Sequence, residues 1–182
     1  RGGNYLGYWL PSSIPMLIRQ SLESGSDFVY AYYDGLDKVG HIHGINEFYD
    51  SEVSSIDDLI GRILINLPKG AAFIVTADHG MVDVGDSLIF LDSGVMELTE
   101  GLSGEARFLW FHAERGASNE LLESLEDLYS DVAWIRTRQQ IFDEGWFGKE
   151  ISAITKSRLG EVAVVARESV AFVPRGKKGP DL

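Results

Sequence analysis

Apolar positions along the chain change period several times, and each change marks an element. Phe28-Val29-Tyr30-Ala31-Tyr32-Tyr33 is a short β-branched and aromatic run and predicts a buried strand. A modest helical stretch over residues 16–24, closed by Gly25, precedes it, and a polar, glycine-bearing loop over 34–44 follows. Ile45, Phe48, Tyr49, Val53, Ile56, Leu59, Ile60, Ile63, Leu64 and Leu67 then recur at steps of three and four. That spacing predicts a long amphipathic helix, stopped by Pro68 and Gly70. Ala71-Ala72-Phe73-Ile74-Val75-Thr76 predicts a second buried strand, with Ala77-Asp78-His79-Gly80 as the loop at its carboxyl end.

Strand, loop, helix, strand, loop reads as a βαβ unit, which implies parallel strands and a right-handed crossover. Both polar loops would then leave the same edge of one sheet, where open α/β folds bind ligands. Farther along the rhythm changes. Strands are expected over 107–113, 131–137, 161–166 and 170–173, and helices over 118–129, 138–144 and 152–159. Leu121, Leu122, Leu125 and Leu128 should face inward from the acidic helix, leaving Glu120, Glu123, Glu126 and Asp127 in solvent. This half reads as an α+β lobe, with the junction expected within residues 94–104 and a basic, glycine-rich linker over 175–179. The expected division is 1–97 for the core and 98–182 for the lobe and linker.

Composition narrows the function classes. With 45% apolar and 24% charged residues over 182 positions, the chain is that of an ordinary globular protein. Sixteen basic against 28 acidic residues leave a net charge of −12, which disfavours a protein that coats nucleic acid. No apolar run approaches the ~20 residues of a bilayer span, and no leader is recognisable; a soluble, cytoplasmic protein is the expectation. The absence of cysteine excludes disulfides, thiolate zinc sites and cysteine nucleophiles.

Two Asp/His pairs carry the candidate chemistry. Asp37 and His41 lie four positions apart after the first predicted strand, and Asp78 and His79 are adjacent after the second. Carboxylate oxygens and imidazole nitrogens together suit zinc, manganese or iron. On one sheet edge the two pairs could hold two cations ~4 Å apart, the arrangement that clamps a phosphoryl group. Gly40 and Gly80 are expected to provide the tight turns that let each pair converge. A single Asp near a His is ordinarily surface decoration; two pairs at successive strand ends are a rarer coincidence. His43 could line a substrate pocket or be merely exposed. His112, between Phe111 and Ala113, reads as packing or surface, Asp34 as a loop hydrogen-bonder, and Asp83 and Asp86 as turn caps. Trp110, Trp134 and Trp146 read as core or lobe-interface residues.

The stretch Tyr33-Asp34-Gly35-Leu36-Asp37-Lys38-Val39-Gly40-His41-Ile42-His43-Gly44 resembles the D-x-x-G-H-x-x-G motif of the alkaline phosphatase superfamily. Thr76-Ala77-Asp78-His79-Gly80-Met81 resembles its D-H-G-M motif, and order and spacing are similar to the type I phosphodiesterase and nucleotide pyrophosphatase branch. Trp146-Phe147-Gly148 and Arg158-Leu159-Gly160-Glu161-Val162 resemble segments of bacterial members. The resemblance implies a three-layer αβα sandwich with a smaller α+β cap-like lobe. It assigns Asp37 and His41 to one zinc, and Asp78 and His79 to the other. It implies a Thr or Ser nucleophile upstream, beside another metal-binding Asp, and a last His ligand downstream. None of these three is present: Thr76 falls in the second predicted strand, and no His follows His112. The chain is therefore expected to be the carboxyl-terminal part of a larger catalytic domain. The activity implied is hydrolysis of a small phosphodiester or nucleotide pyrophosphate, by in-line attack and a covalent intermediate. Phosphosugar mutases of the same superfamily, which use manganese, and a non-catalytic module of the same fold are the alternatives; sulfatases fit less well.

Overall fold

Proline opens the first helical stretch twice. Pro11 begins a single 3-10 turn, and Pro15 sits in the first turn of α1 (Ile14–Glu23). There its fixed φ favours the helix and its missing N–H breaks no bond. The structure, a computed structural model, describes residues 3–174. The chain separates into two compact units, one running to Val82 and the other from Asp83 onward.

The first unit holds α1, α2 (Gly35–His43) and α3 (Glu47–Asn66). Ile14 and Ile18 of α1 bury against Leu59 and Ile63 of α3, each pair one helical turn apart. Tyr8, Leu22, Val29, Tyr33 and Phe73 close around them. The apolar stripe expected along α3 is narrower than its pattern suggests: Phe48, Val53 and Leu64 are exposed, and burial concentrates in the carboxyl half.

Two expectations for this unit need correction. The stretch 34–44 is not a loop: Gly35–His43 form helix α2, with Asp34 and Gly44 at its ends. The Lys38 amide donates to the Asp34 carbonyl at 3.1 Å, and their side chains pair at 2.7 Å across the same turn. Glycine ends that helix: Gly44 has φ +74°, and its amide donates to the Gly40 carbonyl. Asn46 then caps α3 by accepting from the Phe48 amide. The predicted strands 28–33 and 71–76 have no ladder among the described residues, so the βαβ unit is not completed here. Strand-like alternation survives in the first of them, with Val29 and Tyr33 on the core and Phe28, Tyr30 and Tyr32 outward. A strand is defined by hydrogen bonds to a neighbour, and alternation alone cannot supply one.

The second unit contains β1 (Leu88–Phe90), α4 (Ser93–Glu97), β2 (Thr99–Glu105), β3 (Phe108–Ala113), α5 (Ser118–Tyr129), β4 (Ala133–Thr137), α6 (Arg138–Asp143), α7 (Ala153–Lys156), β5 (Val162–Ala166) and β6 (Ala171–Val173). An antiparallel sheet runs in the order β2-β3-β5-β4, and β1 pairs with β6 in parallel. Alternation along β3 and β5 divides the core. Leu109, Phe111, Val162 and Val164 meet Leu121, Leu125 and Tyr129 of α5, while Trp110 and Ala163 meet Ile141 of α6.

The junction expected over 94–104 is instead part of this unit, as α4 and β2. Leu91 and Val95 are fully buried in its core, and the Thr99 hydroxyl donates to the Val95 carbonyl at 2.7 Å. The expected boundary between 97 and 98 thus falls inside the second unit, whose first residue is Asp83. Leu128 is exposed where it was expected inward, because Leu121, Leu125 and Tyr129, at steps of four, take the buried line. The linker expected over 175–179 lies outside the described residues.

Candidate metal centre

Helical spacing brings the first pair together. Asp37 and His41 are i and i+4 on α2, so both project from one face. His41 Nε2 lies 3.3 Å from Asp37 Oδ1. The second pair arrives on the segment after α3: His79 Nε2 lies 3.6 Å from the same Asp37 oxygen and 3.9 Å from Asp78 Oδ1. His41 and His79 therefore meet at one Asp37 oxygen, and Asp78 joins them through His79. The two segments carrying them, 41 residues apart from Asp37 to Asp78, are neighbours in space.

The electrostatics of that carboxylate are unusual. Asp37 Oδ1 is buried and accepts no hydrogen bond, although two imidazoles flank it. The side chain is otherwise partly exposed, and a shielded carboxylate oxygen without a donor favours a cation or N–H group beside it. His79 sharpens the point. Its Nδ1 is 3.0 Å from the Gly80 carbonyl. A carbonyl can only accept, so Nδ1 carries a proton in this contact. Nε2 of the same ring faces Asp37 Oδ1 across 3.6 Å. The donor types, carboxylate oxygen and imidazole nitrogen, are those that suit a zinc-like ion. Among the described residues, no three such side chains are disposed to hold an ion by themselves. Their contacts converge on one oxygen and not on a common central point.

Glycine acts differently from expectation at this site. Gly40 is not a turn residue; it is buried inside α2, and a Cβ there would overlap the Met81 methyl. Gly35 likewise lies beneath the Tyr33 ring, which a Cβ would strike. Gly80 has no positive φ and open space around it, so the backbone freedom expected of it is not used. Sequence reading missed Met81 and Tyr33 as supports; two glycines inside nine helical residues were the available signal.

The remaining candidates fall elsewhere. His43 stacks on Phe48 with centroids 4.4 Å apart, and its contacts do not include the Asp/His cluster. The Lys38 ammonium engages Asp34 and holds its carboxyl below the usual range. His112 Nε2 bonds Ser103 Oγ at 2.9 Å on the second unit's sheet, and Asp83 caps a turn through the Gly85 amide. Thr76 Oγ1 bonds locally to the Ala77 carbonyl. Trp110 is core, whereas Trp134 and Trp146 are partly exposed, the latter donating to Glu144.

The family model described as "Type I phosphodiesterase / nucleotide pyrophosphatase" matches residues 13–180. The chain belongs to that family. Solved structures agree with this family in fold. Murine ectonucleotide pyrophosphatase/phosphodiesterase 5 superposes with a TM-score of 0.68 at 19% identity, covering 95% of this chain and 48% of that one. An inactive threonine-to-alanine variant of the same murine protein, in complex with AMP, gives 0.67 at 18% identity, covering 96% and 48%. This chain thus has the expected alkaline phosphatase-like α/β fold and spans about half the length of those structures. A 2,3-bisphosphoglycerate-independent phosphoglycerate mutase of Roseobacter denitrificans is 38% identical over 65 residues, 35% of this chain and 13% of the mutase.

Proposed function

We propose that this chain is the metal-holding part of a hydrolase that cleaves phosphodiester or pyrophosphate bonds in small nucleotide-type substrates. The observation that carries the reading is the buried, unbonded Asp37 Oδ1 between the Nε2 atoms of His41 and His79. Asp37 and His41 would hold one divalent cation and Asp78 and His79 a second, most simply zinc. When bound, such ions polarise a phosphoryl oxygen and offset the charge that grows on displacement. The chain's own residues supply the rest: Asp37 brings compensating negative charge, and the Gly80 carbonyl holds the His79 ring through Nδ1. Hydrolysis breaks one P–O bond and adds water across it, giving a phosphomonoester and an alcohol or second phosphate. The nucleophile is assigned to a Thr or Ser outside residues 1–182, in keeping with the inactive threonine-to-alanine variant of the murine relative. The further ligands are assigned outside the chain as well. His43 remains a candidate for contact with the substrate's leaving group, through the ring it stacks on Phe48.

The full-length protein should bind zinc and turn over bis-p-nitrophenyl phosphate. Asp37→Asn and His41→Ala should each lower turnover by more than about a hundredfold, beyond what loss of an outer partner to a ligand typically does. Metal content measured on the same samples should fall with it. Unchanged metal content and turnover in both variants would reject the reading. A second reading, phosphoryl transfer within a phosphosugar, has the mutase similarity in its favour. Interconversion of phosphoglycerates without turnover of the diester would select it. Folded wild-type protein that binds no metal and turns over neither substrate would identify a non-catalytic module.

A further inference from the structure

Gly40 lies between the two ligands of α2 in sequence and on the same face, three residues after Asp37 and one before His41. A glycine inside a helix costs about 1 kcal/mol relative to alanine, so its presence calls for a compensating contact. That contact is Met81. Its methyl occupies the space that a Cβ on Gly40 would need, and the Tyr49 ring bounds the same space at 3.5 Å. Met81 is two residues after His79, on the segment that carries the second ligand pair. We propose that Met81, seated on the bare backbone of Gly40, is a positioning residue that sets the distance between the Asp37/His41 and Asp78/His79 pairs.

Magnitudes decide whether such a spacer matters. Restoring ordinary carbon–carbon separation over an added methyl requires the Met81 methyl to retreat by roughly 1.2–1.7 Å. Ligand distances in a metal site hold to within about 0.2 Å. If the backbone from His79 to Met81 moves with the side chain, the 3.6 Å spacing of His79 from Asp37 is lost. The proposal rests on the metal-centre reading given above, and its test separates the two.

Zinc affinity, by competition with a chelator, and the absorption spectrum of the cobalt(II)-substituted site are measured on the full-length protein. Gly40→Ala should weaken affinity about tenfold to a hundredfold and alter the cobalt bands. Gly40→Ala combined with Met81→Ala should recover most of the loss, because the second change vacates the space the first fills. Met81→Ala alone adds no bulk and keeps the test open if Gly40→Ala does not fold; it should loosen the site, and Met81→Leu should restore it. A thioether has three rotatable bonds. Gly40→Ala with wild-type affinity and spectrum would mean that the methyl swings aside and the proposal is wrong. A double variant no better than Gly40→Ala would also overturn it. Failure of the metal-centre reading has a different signature: Asp37→Asn would then bind zinc as the wild type does.

Discussion

Tyr33 holds its proton more tightly than a free phenol does. Its hydroxyl donates to Glu52 Oε1 at 2.6 Å, and that bond, with burial and the Glu52 charge, pushes the phenol from 10.0 to about 12. The neutral form is favoured in the folded state. The associated stability is therefore fully present below pH 10 and is lost as pH rises through about 12. A tyrosinate titration followed by ultraviolet absorbance should show one late-ionising tyrosine. Tyr33→Phe should remove that late phase, and Glu52→Gln should move it earlier; a titration unchanged by Glu52→Gln would contradict the assignment. The same ring covers Gly35 at the start of α2, so this residue ties the amino end of α2 to α3. Its hydrophobic neighbours made Tyr33 legible as part of a buried segment. Its partner was not legible, because Glu52 is nineteen positions away on what reads as a solvated helix face.

Among the elements, α5 offers the sharpest contrast between reading and structure. The bounds expected from the pattern, 118–129, are those observed, since the apolar spacing there is regular and strong. The register of burial within it is finer than the pattern resolves. Leu125→Ala empties a fully buried position packed between Phe111, Val164 and the rest of the sheet core, and should destabilise the protein by about 2–5 kcal/mol. Leu128→Ala, at a position half in solvent, should change stability by less than about 0.5 kcal/mol. Denaturant midpoints for the two variants check this, and equal losses would contradict the observed helix face. Helix α2 shows the opposite difficulty. Two glycines and several polar residues read as a loop, because propensity weighs residues singly. The helix forms around contacts that propensity does not count: the Asp34–Lys38 pair, Tyr33 over Gly35 and Met81 over Gly40.

For the whole molecule, the division into two units separates two cores that share no residue. Loss of packing at Leu125 should therefore raise hydrogen exchange within residues 83–174 and leave the amides of α1 and α3 as they were, a pattern that mass spectrometry reads directly. The first unit leaves Phe28, Tyr30, Tyr32, Ile74 and Val75 exposed on two segments of strand-like sequence without ladder partners among the described residues. Unpaired apolar segments of that kind associate. The 182-residue chain on its own should bind a hydrophobic dye and associate as concentration rises, and Phe28→Lys with Ile74→Lys should reduce both. Light scattering that does not vary with concentration would show the segments to be harmless. Sequence by itself determined the α/β class and the bounds of most elements after residue 106, and singled out two Asp/His pairs as candidates, because periodicity and motif spacing are local properties. Tertiary structure alone decided that Asp37, His41 and His79 meet at one oxygen, that α2 is a helix with Met81 against its glycine, and that residues 88–105 belong to the second unit. Those outcomes depend on which distant surfaces touch and which ladder partners are present, and no window along the chain encodes either.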